Sequence, residues 1–323
     1  MKIGILGLAI LGLVLAAAPD YSNQAAWTDP SCQTGTTQSP INIASATDST
    51  DFDIYYDGSN WENVSLDASV TYLWQWNSAV ASRSSVRYRL RTAPTTAGEC
   101  QEAKYTAVQL HFHRTSEHTV GGTSYTSEMH IVHQRDHEYA SCSNMKAYLV
   151  VGVFFNEDAN ASDNAFLRDL SVTNTASAGN ANIKDHISTW MSNGVYNYKG
   201  SLTTPACSEV VEWIVCKNVQ TMSPAQKTAF DSMGSGISNR NVQSNASTLY
   251  SISGDYVHNE GGDGDGRLWM YVVFPILAVI IIVVVIVVII CCAKKKQQCC
   301  FKGRDVRTRV SSKDDLSAND RGV

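Results

Sequence analysis

The sequence predicts a mainly β protein: a single large, twisted, mostly antiparallel sheet, followed by one C-terminal transmembrane helix. Three observations carry that prediction. Short runs of β-branched and aromatic residues alternate with a period of two, clusters of Gly, Asn, Ser and Thr separate them, and one long uncharged stretch lies near the C-terminus. With 44% hydrophobic and 17% charged residues and only 7 Pro in 323, the chain is too apolar and too weakly charged for a disordered or collagen-like protein.

Taken in order, Lys2 is followed by the uncharged run Ile3 to Leu15 and by Ala16, Ala17 and Ala18 before Pro19. That is the charge, length and small-residue exit of a secretory signal peptide over 1–18. Residues 19–250 form the folded unit. Its expected strands include Ser85 to Arg91, Tyr105 to His113, Glu128 to His133, Ala147 to Phe155 and Val210 to Val215. Helical periodicity is confined to pieces such as Phe166 to Leu170 and Ile183 to Met191. Residues 251–267, where Gly262, Gly264 and Gly266 alternate with Asp263 and Asp265, read as a flexible acidic stalk. The span 268–293 contains 25 consecutive uncharged residues, Trp269 to Ala293, which at ~1.5 Å per residue outreach a ~30 Å hydrocarbon core. Trp269 and Tyr271 at one end and Lys294, Lys295 and Lys296 at the other orient it as a type I span in a lipid bilayer, with the C-terminus cytoplasmic.

The tail 294–323 carries nine Lys or Arg against four Asp, whereas the rest of the chain without Lys2 has 15 basic and 26 acidic residues. Such an acidic outer portion argues against nucleic acid as a partner. Cys291, Cys292, Cys299 and Cys300 flank the lysine cluster, a setting for acylation or for reduced thiols. Cys32, Cys100, Cys142, Cys207 and Cys216 fall on the oxidising side, where disulfides are expected and an odd count leaves at least one over. Asn63, Asn160 and Asn245 each begin an Asn-x-Ser glycosylation sequon.

Six of the eight histidines lie between His111 and His137. Read as a strand, Tyr105, Ala107, Gln109, His111 and His113 share one face and Val108, Leu110 and Phe112 the other. On a second strand Glu128, His130 and Val132 share a face, with Met129, Ile131 and His133 opposite. If the two strands pair antiparallel, His130 joins His111 and His113. Three neutral imidazoles leave a tetrahedral Zn²⁺ with one open position, the arrangement of a catalytic zinc. Gln109 and Glu128, each two residues before a histidine on the same face, can hold the second ring nitrogens. His118 beside Glu117 is expected to buttress the site, and His133 and His137 to be structural or exposed.

The blocks Gln38-Ser-Pro-Ile-Asn-Ile43, Gln109-Leu-His-Phe-His113, Ser116-Glu-His-Thr-Val120, Glu128-Met-His-Ile-Val-His133 and Gly200-Ser-Leu-Thr-Thr-Pro205 occur in the order seen in the alpha-class carbonic anhydrases. The chain resembles that family from roughly Trp27 to Gln243. The resemblance implies the family's twisted sheet, zinc on His111, His113 and His130, and CO2, bicarbonate and water as reactants. It implies that Thr203 donates its hydroxyl proton to Glu117 and turns a lone pair toward the fourth metal position, since an ionised carboxylate can only accept. It places Thr204 beside bicarbonate and Val132, Val150, Leu202, Val211 and Trp213 in the apolar wall for CO2; without it, these read as ordinary core. Cys32 and Cys207 match the disulfide of secreted members. Cys100 is paired with Cys142 on a separate ground: antiparallel partners keep a near-constant index sum, and this pair agrees with His111 and His130 to within one. Cys216 is then a buried thiol.

The fastest relatives carry a shuttle histidine before the first ligand, but no histidine precedes His111 here, so proton transfer is expected to depend on buffer. After His113 the loop is short, Arg114, Thr115 and Ser116 leading directly to Glu117, and Ala206 follows Pro205 where a second proline is common. Two other readings compete with a carbonic anhydrase: a catalytically silent receptor or adhesion ectodomain, which would be expected to lack a ligand histidine, and a zinc esterase.

Overall fold

The computed structural model describes residues 19–57, 60–66, 73–76, 84–174, 179–232 and 238–259, with the side chains of 60–66 and 73–76 left aside. These residues all belong to the first of the chain's two units, Met1–Gly262. The expected signal peptide, residues 260–267 of the expected stalk, the transmembrane span 268–293 and the tail lie outside the described residues. Residues 251–259, also expected as stalk, belong instead to the sheet: Ser251 and Ile252 pair with Asp48 and Ser49, and Val257–Asn259 with Ile54–Tyr56, the Gly–Asp alternation starting only beyond them. Among those described, no helix is long and apolar enough to cross a membrane.

In chain order the strands are β1 (Asn42–Ile43), β2 (Thr47–Ser49), β3 (Phe52–Asp57), β4 (Asn60–Leu66), β5 (Leu73–Trp76), β6 (Ser85–Leu90), β7 (Glu102–His113) and β8 (Thr119–Val120). They continue with β9 (Ser127–Arg135), β10 (Tyr148–Glu157), β11 (Gly179–Asn182), β12 (Val195–Gly200), β13 (Val211–Cys216), β14 (Gln220–Met222), β15 (Tyr250–Ile252) and β16 (Val257–Asn259). The helices are α1 (Pro30–Thr34), α2 (Ala165–Asp169), α3 (Lys184–Met191) and α4 (Pro224–Ser232). The main path of the large sheet runs β11-β4-β5-β7-β9-β10-β13-β12-β15-β2, with β3, β6, β14 and β16 paired beside it. Most pairings are antiparallel, as expected, but β10 runs parallel to β13, so the sheet is mixed.

Alternation along the central strands separates two apolar clusters. Leu149, Val151, Val153 and Phe155 of β10 join Met129 and Ile131 of β9 and Ile214 of β13 in the larger core, closed by Phe166, Leu167, Trp190 and Phe230 of the helices. Val150 and Phe154, one position out of phase, join Val211, Trp213 and Val215 with Ile41, Ile43 and Tyr198 in a second cluster. The opposite directions follow from the two-residue period of a strand.

The face reading of β7 needs a correction. A bulge between Ala107 and Gln109 shifts the register against β9, from Ala107 opposite His133 to Gln109 opposite Val132. One extra residue reverses the inside and outside of everything beyond it. Tyr105 and Ala107 therefore point into the larger core with Leu110 and Phe112, on the face opposite Gln109 and His111.

Helix α4 went unpredicted, although its start is signalled in the sequence. Ser223 accepts from the Gln226 N–H at 3.2 Å, Gln226 Oε1 accepts from the Ser223 N–H at 3.3 Å, and Pro224 takes the first helical position. That reciprocal pair is a capping box.

Candidate metal centre

Antiparallel pairing of β7 with β9 sets His111 opposite His130 and His113 opposite Glu128. One ring nitrogen from each of His111, His113 and His130 falls within 4.8 Å of the others. His113 and His130 are buried and His111 is partly open, so the cluster has one accessible side. The three rings thus converge as the strand reading requires.

The outer nitrogen of each ring fixes its tautomer. His111 Nδ1–H donates to Gln109 Oε1 at 2.9 Å, and His130 Nε2–H to Glu128 Oε1 at 2.9 Å. His113 Nδ1–H donates to the backbone carbonyl of Ser238. Lone pairs are therefore left on His111 Nε2, His113 Nε2 and His130 Nδ1. Burial, reinforced by the neighbouring imidazoles, pushes the His111 pKa well below its ordinary 6.5, and burial pushes that of His113 down too. Both rings are neutral near pH 7, the form a metal takes.

Glu128 joins two layers of support. Burial alone would raise its pKa, but His118 and His130 hold it well below the ordinary 4.5. Besides His130 it accepts from the His118 backbone N–H at 2.9 Å and from His118 Nδ1–H at 2.8 Å. His118 thus buttresses the site through Glu128 and not through the adjacent Glu117. Its Nε2 lies 2.6 Å from the Tyr198 hydroxyl, itself 2.9 Å from Ser39 Oγ, which extends the buried network into the Gln-Ser-Pro block. Gly152, opposite His130 on β10, leaves the space that Glu128 fills: a Cβ there would lie 3.0 Å from Glu128 Oε1.

Glu117 is 1% exposed, and its Oε1 accepts from the Arg240 backbone N–H at 2.7 Å. The hydrogen bond expected from Thr203 is not formed: Glu117 Oε2 has no hydrogen-bond partner among the described residues. That oxygen instead faces the rings, 3.4 Å from His113 Nε2, which is likewise unpartnered, and 3.9 Å from His130 Nδ1. A carboxylate oxygen turned toward imidazole lone pairs leaves an acceptor-only cluster, which a divalent cation satisfies and an apolar filling does not. The donor set therefore fits a metal ion.

Thr203 is buried and Thr204 partly so, in a loop held by the Ser201 N–H donating to Ser39 Oγ and by the Cys32–Cys207 disulfide. Val150, Val211 and Trp213 belong to the second apolar cluster, and Val132 and Leu202 pack against it. The Trp213 ring lies 4.9 Å from that of His130. Cys100 and Cys142 form the second disulfide and Cys216 is a free buried thiol, as expected. Asn160 is exposed, whereas Asn245 uses its amide Nδ2 on the carbonyls of Gln38 and Lys199, which a sugar at that nitrogen would disturb.

Sequence reasoning gave no role to the Ser238 carbonyl, Tyr198, Arg240 or Ser39, although Ser39 lies in the Gln38–Ile43 block. A carbonyl partner has no residue signature, and the others come from segments far along the chain.

The eukaryotic-type carbonic anhydrase family matches residues 22–254. The chain belongs to that family. Membership places it among the carbonate dehydratases. A carbonic anhydrase of Klebsiella pneumoniae is 31% identical over 226 residues, covering 66% of this chain and 78% of that protein. Alpha carbonic anhydrase 8 of Arabidopsis thaliana is 38% identical over 130 residues, and that stretch spans 38% of this chain and 31% of the relative. The solved alpha-carbonic anhydrase of Photobacterium profundum aligns with a TM-score of 0.51 at 25% identity, over 70% of this chain and 95% of that one. The carbonic anhydrase fold thus accounts for the mixed sheet.

Proposed function

We propose that the protein is a zinc-dependent carbonic anhydrase that hydrates CO2 reversibly to bicarbonate and a proton at the outer face of a membrane. The observation that carries the reading is the convergence of three ring nitrogens whose opposite nitrogens are each tied to a fixed acceptor. His111, His113 and His130 would hold the ion. When bound, zinc acts as a Lewis acid that makes a water acidic enough to react near neutral pH, behaviour for which carbonic anhydrases are themselves the reference case. Gln109, Glu128 and Ser238 keep the ligand rings in the required tautomers.

Val132, Val150, Leu202, Val211 and Trp213 offer CO2 an apolar surface, with Thr204 beside the product. Glu117 Oε2, turned toward the rings and accepting no hydrogen bond here, would be released by a bound cation to take the Thr203 hydroxyl proton, leaving that hydroxyl's lone pair for the nucleophile. Orientation of the attack is assigned to that pair. The outward location is supported by the apolar span 268–293 with its following lysines and by two disulfides, which persist in oxidising compartments.

The test is zinc content together with sulfonamide-sensitive CO2 hydration, with His130→Ala as control. Stoichiometric zinc and activity in the wild type, both lost in the variant, are expected. A zinc-loaded wild type without hydration activity would replace this reading with the silent ectodomain.

A further inference from the structure

The segment that supports the metal centre from behind is gripped on its other side by one side chain. Ser238 O accepts from His113, and the Arg240 N–H donates to Glu117 at 2.7 Å. These groups, two residues apart, face inward. Asn239 O and the Asn241 N–H, each one residue further along, are taken up by a different partner. Both meet Gln24: its Nε2–H donates to Asn239 O at 3.2 Å, and its Oε1 accepts from the Asn241 N–H at 2.9 Å. The carboxamide thereby pairs with this segment as a peptide unit of a neighbouring strand would.

Gln24 is itself held. Its Nε2 also donates to Tyr21 O at 3.0 Å, and its carbonyl accepts from the buried Trp27 N–H at 3.1 Å. The Arg240 guanidinium carbon lies 5.6 Å from the Trp27 ring centroid, so the same short turn touches the segment twice.

We infer that Gln24 is a positioning residue for the metal centre, setting through Asn239 and Asn241 where the Ser238 carbonyl meets His113 and where the Arg240 N–H meets Glu117. The inference rests on the metal reading above. It extends that reading to a residue more than two hundred positions from the segment it holds.

Two variants of the full chain test it. Gln24→Met keeps the side-chain length and removes the hydrogen bonds; Gln24→Glu keeps an acceptor for the Asn241 N–H but has no donor for Asn239 O. Zinc loss into excess chelator is measured together with the NMR resonance of the His113 ring N–H. Partners that orient ligands are typically worth about 10–100-fold in metal affinity, and one step further out the lower end, about tenfold faster loss, is expected for Gln24→Met. Gln24→Glu should fall between it and the wild type, with the His113 resonance shifted or broadened in both. Unchanged zinc loss, or faster loss with an unchanged His113 resonance, overturns the inference, as does a change confined to thermal unfolding. A wild type that binds no zinc overturns the metal reading and this inference together, and is seen before any variant is compared.

Discussion

Glu212 shows how one buried residue sets a pH response away from the metal. It is 3% exposed on β13, on the face opposite Trp213, and its Oε1 accepts from Asn197 Nδ2 at 2.8 Å. Burial raises its pKa from 4.5 to about 7, against the lowering influence of Asn197, Lys199 and Lys146. A carboxyl with a raised folded pKa binds its proton more tightly when folded. Its contribution is fully present below about pH 4.5 and is lost as the pH rises to about 7. A glutamine in its place would still accept from Asn197 and never ionise, so Glu212→Gln is expected to stabilise the chain by roughly 1–3 kcal/mol at pH 8 and hardly at pH 4.5. Urea unfolding at the two pH values checks this; equal effects at both would show that the ionised form carries no penalty. The grouping of His111, His113 and His130 was legible because parity in a strand decides which side chains share a face. The Ser238 carbonyl was not, because every residue has one.

Between β7 and β10 the relevant physics is register. The bulge near Val108 lets one strand serve the larger core with Tyr105 and Ala107 and the histidine cluster with Gln109 and His111. Nothing in the local sequence marks it except the demand that both apolar and metal-facing residues find their proper sides. Gly152 on β10 has a similarly close constraint, since a methyl there would meet a carboxylate already fixed by three donors. Gly152→Ala is expected to destabilise the fold by about 1–3 kcal/mol and to weaken zinc retention, read by thermal unfolding and metal analysis. Full zinc occupancy with unaltered unfolding would show that Glu128 can yield. At α4, Ser223→Ala removes the cap and should cost about 1 kcal/mol, seen as faster amide exchange in the first turn.

Across the folded unit, the Cys32–Cys207 bridge closes 175 positions of sequence and ties α1 to the loop of Thr203. Replacing both cysteines by alanine is expected to cost about 2–5 kcal/mol in denaturant unfolding. The proton route is also set at this range. The exposed His137 lies in a turn past the end of β9, which carries the chain from His130 to Arg135, about 16 Å at ~3.3 Å per residue. With no histidine before His111, the hydration rate should rise with buffer concentration in stopped-flow measurements. A rate independent of buffer would require a relay through other groups.

Sequence periodicity was enough to recover the β class and to set His111 and His113 on one face, and with antiparallel pairing assumed it added His130 and paired Cys100 with Cys142. The shift at Val108, the turn of Glu117 Oε2 toward the rings, and the grip of Gln24 on residues 239–241 were settled only by folding. Those contacts depend on where distant segments come to rest, and the backbone groups that make them are chemically the same at nearly every position.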